Sequence, residues 1–210
     1  MQFDAGGRFC HPGRLSMTTR AAFLVVALTA FGAMTDRAAA GSYLTRYSGG
    51  SAPAGFSGIC ARYAWACSNS DQGIVRAEKT MLAMAQLINV RFNRSIAPRT
   101  DRQAYGRSEY WTLPNRGVGD CEDYALAKQK ALIEQGVPPN RLYLATVVGS
   151  PQDPHTVLVM RTGSGDYVLD NLSPRIKPWH ATRYTFIKMQ NSQDRRRWDA
   201  VLLGPRALRH

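Results

Sequence analysis

A thiol, an imidazole and a carboxylate lie in that order along this chain. Cys121 stands in Gly119-Asp120-Cys121-Glu122-Asp123-Tyr124, where a loop passes into a helix. His155 follows Pro154 at the head of an apolar run, and Asp170 sits in Val168-Leu169-Asp170-Asn171-Leu172. A thiolate attacks a carbonyl carbon, an imidazole takes and returns the proton, and a carboxylate orients the imidazole. A cysteine at a helix N-terminus meets the positive end of the macrodipole and unpaired backbone N–H groups. Both favour the thiolate, and such an N–H can receive the oxyanion of a tetrahedral intermediate. Taken singly, each residue also has a structural reading: a buried inert thiol, a satisfied histidine, an Asp in a turn. Zinc held by Cys121, His155 and Asp170 is a further reading of the same three groups.

Asp120, Glu122 and Asp123 crowd the thiol, and carboxylates beside a thiol oppose its ionisation. Two explanations stand side by side. Acidic residues complement the first turn of a helix. Alternatively they hold a cation, and hard oxygen ligands suit Ca²⁺, which would offset the local charge and fix the loop carrying Cys121. The ligand spacing is not that of an EF-hand.

The imidazole reaches the thiol only if its strand packs on the cysteine's helix. Upstream, Ile74, Ala77, Met81, Leu82, Met84, Ala85, Ile88 and Phe92 recur at three- and four-residue steps, predicting a helix over 74–92 capped by Asp71. Residues 96–119, with Pro98, Pro114 and several Gly, read as an irregular connection packed down by Tyr105, Tyr110 and Trp111. Asp120 then caps a second helix, whose apolar positions are Tyr124, Leu126, Ala127, Ala131 and Leu132 and which Gly136 and Pro138-Pro139 end. Strand-like runs follow at 141–148, 155–161 and 166–170, the last two joined by Thr162-Gly163-Ser164-Gly165 as a hairpin turn. Runs at 184–189 and 198–203 add two more. Helices followed by antiparallel strands predict an α+β domain. Through the hairpin, His155 and Asp170 come near one end of neighbouring strands.

With 210 residues and 44% hydrophobic content, the chain suits one domain, placed at 59–210. Arg20, the apolar run 21–33 and Ala38-Ala39-Ala40 have the layout of a secretory signal cleaved after Ala40, with Met17 an alternative start. The apolar run is short of the roughly 20 residues that span a bilayer, although an uncleaved anchor is the competing reading. Residues 41–58, rich in Gly and Ser, read as a mobile leader. Export removes Cys10, lets Cys60 and Cys67 close a small disulfide loop, and leaves Cys121 as the odd thiol; two packed free thiols are the alternative. The chain carries +12, and its first 40 residues hold four Arg and two Asp, so a domain cut after Ala40 keeps +10. Basic residues are scattered apart from Arg195-Arg196-Arg197, and no zinc-knuckle, KH or RRM signature accompanies them. The charge therefore reads as solvated surface, and nucleic acid is not expected as a partner.

Tyr110-Trp111-x-x-Pro114, Gly117-x-Gly119-Asp120-Cys121-Glu122-Asp123-Tyr124-Ala125, His155-x-Val157-Leu158 and Leu169-Asp170-Asn171-Leu172 together resemble the bacterial transglutaminase-like cysteine proteinases, which include the LapG-type periplasmic proteases. The resemblance runs from about Phe56 to Leu203 and includes an early cysteine pair like Cys60 and Cys67. It implies a papain-like or transglutaminase-like α+β core, with N-terminal helices packed on an antiparallel sheet. It also implies Cys121, His155 and Asp170 as catalytic triad, Trp111 beside the oxyanion site, and calcium dependence through Asp120, Glu122 and Asp123. For LapG-type enzymes the protein substrate is the N-terminal region of a large surface adhesin, cut in biofilm control, and a membrane receptor sensing cyclic di-GMP sequesters the protease. The basic balance and the irregular stretch 95–105 depart from that pattern. The same thioester also serves transglutaminase- or amidase-type acyl transfer, and a non-catalytic calcium-responsive binding module is the third reading.

Overall fold

A computed structural model describes residues 42–205, so the secretory signal expected over 1–40 lies outside the described residues. In chain order the elements are β1 (Tyr47–Gly50), α1 (Ile59–Arg62), α2 (Glu78–Ser95), β2 (Ala97–Pro98), α3 (Asp101–Tyr105), β3 (Val118–Gly119) and α4 (Cys121–Glu134). Strands β4 (Leu142–Val148), β5 (His155–Arg161), β6 (Asp166–Leu169), β7 (Lys177–Pro178), β8 (Thr185–Gln190) and β9 (Trp198–Leu203) follow. Seven strands form one antiparallel sheet in the order β1-β9-β8-β4-β5-β6-β7, and β2 and β3 form a short parallel pair. The α+β expectation holds.

Strand alternation explains the layering. Leu142 and Leu144 of β4, Leu158 and Met160 of β5 and Leu169 of β6 share one apolar cluster with Ala85 and Ile88 of α2 and Leu126 and Leu132 of α4. The intervening residues Tyr143, Ala145, Val147, Val157, Val159 and Val168 build a second cluster with Phe186 and Met189. Central strands buried on both faces read as nearly continuous apolar runs, which is why 141–148 and 155–161 were legible. Helix α4 packs on both β5 and α2, and that packing lays its N-terminus beside the head of β5. The disulfide between Cys60 and Cys67 is present and ties α1 to the turn after it.

Three local expectations change. Helix α2 begins at Glu78, with no side-chain cap, because residues 74–76 serve other contacts: Ile74 N donates to Gly136 O (2.8 Å) and Arg76 reaches Gln135 O (2.7 Å). Asp71 therefore caps nothing, and Ile74 and Val75 are exposed. Glu78 accepts hydrogen bonds from Ser164, pinning the helix start to the β5–β6 turn.

Residues 42–58 are not a mobile leader. Leu44 is buried with its N–H on Asp166 Oδ2 (2.9 Å), β1 pairs with β9, and Phe56 packs edge-on against Trp111 and Trp198 (5.4 and 5.2 Å). Gly55 has φ +76°, and a Cβ there would fall 2.7 Å from the Trp111 ring, so glycine is required by both backbone and space.

Within 96–119, the five residues of α3 are nucleated by a capping box. Gln103 N donates to Thr100 Oγ1 (3.4 Å), and Thr100 N donates to Gln103 Oε1 (3.2 Å).

Candidate active site

Cys121 is the first residue of α4 and His155 the first of β5. The two elements meet at the sulfur, where Thr156 N donates to Cys121 Sγ at 3.4 Å. His155 is fully buried, and its Nε2 lies 2.9 Å from Asp170 Oδ1. Asp170 follows β6, whose register with β5 pairs Leu158 with Leu169 and so brings His155 and Asp170 to the same end of the hairpin. The Asp170 carboxylate also accepts from Leu172 N at Oδ1 (2.9 Å) and from the Tyr184 hydroxyl at Oδ2 (2.7 Å). Burial works to raise its pKa, but the hydrogen bonds from His155, Leu172 and Tyr184 outweigh it and hold the group below the usual carboxylate value. His155 Nδ1 is buried and has no hydrogen-bond partner.

The sulfur is not poised as a macrodipole argument alone would have it. Burial first, then the charge of Glu122, push the Cys121 thiol well above its ordinary value. The thiol itself donates to Glu122 Oε2 at 3.1 Å rather than to His155. One turn of helix dipole is outweighed by a carboxylate in contact.

The acidic cluster differs from the expected set. Asp101, Asp120 and Glu122 each offer a carboxylate oxygen, with the three ligand atoms within 4.8 Å of one another. Asp123 is absent from the group. On a helix, adjacent residues point about 100° apart, so Glu122 and Asp123 cannot share a face. Asp123 Oδ1 instead accepts from Thr112 N (2.9 Å), tying the segment that bears Trp111 to the start of α4. Gly119 makes room for it: a Cβ there would lie 2.8 Å from Asp123 Oδ2. Burial pushes the Asp123 carboxyl up to about 8, so it is largely neutral at pH 7. Asp101, which the sequence reading missed, arrives from the first turn of α3, its N–H donating to Asp120 Oδ2 (3.2 Å). Asp120 consequently occupies the N-cap position of α4 without capping it.

The trio suits a cation. Asp101 Oδ1 and Asp120 Oδ1 are buried without hydrogen-bond partners. Burial raises the pKa of all three acids, and mutual repulsion raises Asp120 and Glu122 further. Cys121, His155 and Asp170 form no such group among the described residues, so the zinc reading is not supported.

A cleft of about 550 Å³ opens over Cys121, lined among others by Pro53, Ala54, Glu109, Trp111, Thr146 and Thr156. Trp111, expected beside the oxyanion site, is almost wholly buried at its edge. Tyr184 and the Thr156 N–H were not singled out in the sequence because each reaches the site through a contact between separate elements.

The family described as bacterial transglutaminase-like cysteine proteinase matches residues 46–204. No curated protein matches the chain. Among solved structures, Legionella pneumophila LapG is similar in its calcium-bound form, at 22% identity and a TM-score of 0.49 over 62% of this chain and 72% of that one. The EGTA-treated form gives 27% identity and a TM-score of 0.45 over 53% and 64%. A further LapG structure gives 27% and 0.45 over 56% and 65%. With the family match running from β1 through the end of β9 and across Cys121, His155 and Asp170, this chain belongs to the bacterial transglutaminase-like cysteine proteinases and is a cysteine peptidase.

Proposed function

We propose that the protein is an exported, calcium-dependent cysteine endopeptidase in which Cys121, His155 and Asp170 act as nucleophile, base and orienting acid. The observation that carries this is the buried His155 ring, tied through Nε2 to Asp170 and left with an unpartnered Nδ1 one residue from the N–H that touches Cys121 Sγ. Asp170 holds the proton on Nε2, so Nδ1 keeps its lone pair. In the reaction the thiol leaves Glu122, its proton passes to Nδ1, and the sulfur adds to a peptide carbonyl in the cleft. Backbone N–H groups in the first turn of α4 would be the donors to the developing oxyanion. The imidazolium then protonates the departing amine, and water activated by the same nitrogen hydrolyses the thioester.

Asp101, Asp120 and Glu122 would hold the calcium ion. When bound, Ca²⁺ supplies positive charge beside the sulfur and engages the Glu122 carboxylate that otherwise accepts the thiol proton. Periplasmic location is supported by the Cys60–Cys67 disulfide, a bond that persists in oxidising compartments. Among the described residues no helix is long and apolar enough to cross a membrane. The protease family implies a protein substrate; the resemblance to LapG-type proteases motivates proposing a large surface adhesin as that substrate and a membrane-bound cyclic di-GMP receptor as regulator.

The test is Cys121→Ala. Purified wild-type protein with Ca²⁺ is expected to cut a candidate adhesin fragment, and the folded variant to lose cleavage. Unchanged cleavage by the variant overturns the assignment.

A further inference from the structure

We propose that Tyr184 is a positioning residue for the reaction, a fourth member of the relay that fixes the Asp170 carboxylate from its outer side. The inference rests on the reading of Cys121, His155 and Asp170 as a triad. A carboxylate orients an imidazole only if its own rotation is restrained. Asp170 Oδ1 faces His155 Nε2 and Leu172 N, leaving Oδ2 to set the twist of the group. The Tyr184 hydroxyl donates to that oxygen at 2.7 Å, and the same tyrosine ring stands edge-on to the His155 ring, centroids 5.9 Å apart. One side chain therefore touches both members of the pair.

The placement of Tyr184 is built rather than incidental. Arg183, just before it, adopts φ +64°, a left-handed conformation uncommon and costly for a residue other than glycine. Tyr184 N donates back to Thr182 Oγ1 (3.3 Å), closing the turn that aims the ring inward. From the opposite side, Asn93 of α2 donates to the Asp170 main-chain oxygen (2.9 Å), so backbone and carboxylate are restrained by separate elements. Tyr184 and Asp170 also line a second hollow of about 340 Å³ with Arg175 and Lys177. Without the hydroxyl, Oδ2 faces that hollow, and competing donors there can turn the group away from His155. Lys128 of α4 also acts on Asp170, and Asp153 acts on Tyr184. Burial and the Asp170 charge keep the phenol protonated throughout the working range, so it serves as a constant donor.

Tyr184→Phe deletes the hydroxyl and keeps the ring against His155. Expected is a fall in kcat of about tenfold, the scale of one hydrogen bond to a charged group, with KM unchanged and a modestly lower thermal midpoint, because Asp170 Oδ2 loses the same bond in the resting enzyme. The Asp170 carboxyl, followed by carbon-13 NMR, is expected to titrate at higher pH in the variant than in wild type. An unchanged kcat, a loss confined to KM, or an unmoved Asp170 titration overturns the proposal. Failure of the parent reading is told apart from these: it shows as wild-type protein without Cys121-dependent cleavage, whereas the Asp170 titration is read without substrate. In that event the relay role falls with its parent.

Discussion

At the scale of single residues, the site turns on which nitrogen of His155 carries the proton. Asp170 accepts at Nε2, so an amide in its place offers an N–H there and drives the imidazole proton to Nδ1. That is the atom required to take the thiol proton. Asp170→Asn is therefore expected to lower kcat by a factor on the order of 10³ to 10⁴ while leaving substrate binding nearly intact, as wrong-tautomer variants of other triads do. Steady-state kinetics on the folded variant check it; a loss smaller than tenfold would remove Asp170 from the relay. The three residues were legible because the block around Cys121 is local and the His and Asp motifs head or follow clear strands. Asp101 and Tyr184 were not, since each depends on loops that return to the site from outside any motif. That Glu122 opposes ionisation of Cys121 could be read from its place beside the thiol, but the larger cause, burial of the sulfur, could not.

At the scale of elements, α4 buries a charged group in the fold beneath the site. Lys128 lies about two turns along from Cys121, buried, with its ammonium near the Tyr124 ring. Burial lowers its pKa to about 7, against a weaker opposing pull from Asp170. The ordinary value is 10.5, so between about 7 and 10.5 the unfolded chain binds a proton that the folded one refuses. Folding stability contributed by this group therefore rises with pH across that window, by at most about 1.4 kcal/mol per pH unit. Lys128→Met removes the titration and retains much of the volume. Urea melts of both proteins from pH 6 to 10 are expected to show the wild type gaining on the variant as pH rises; parallel curves would contradict the burial argument. Elements whose two faces are both buried, such as β4 and β5, announced themselves as apolar runs. The start of α2 did not, because Ile74 falls by chance on the helical period while its backbone pairs with the end of α4. Nor did residues 42–58, whose few apolar anchors, Leu44 and Phe56, are diluted by Gly and Ser and find partners at Asp166 and Trp198, more than 100 residues on.

At the scale of the whole molecule, a chain of net charge +12 gathers Asp101, Glu109, Asp120 and Glu122 into one cleft. Like charges held together in a partly buried place destabilise the fold unless they are protonated or a cation joins them. Cation binding and folding are thus linked, and a ligand at 100 times its Kd adds about 2.7 kcal/mol of stability. Ca²⁺ is expected to raise the thermal midpoint and to speed alkylation of Cys121, and a chelator to reverse both, with recovery on adding the ion back. The geometry further distinguishes among four neighbouring carboxylates. Asp101→Asn, which takes the charge from one of the three converging ligands, is expected to weaken the calcium response of both readouts. Asp123→Asn is expected to keep it, because Asp123 faces Thr112 N, and an asparagine oxygen can accept the same hydrogen bond. The reverse pattern, with the response lost in Asp123→Asn and retained in Asp101→Asn, would favour the adjacent acids read from sequence over the trio that folding brings together.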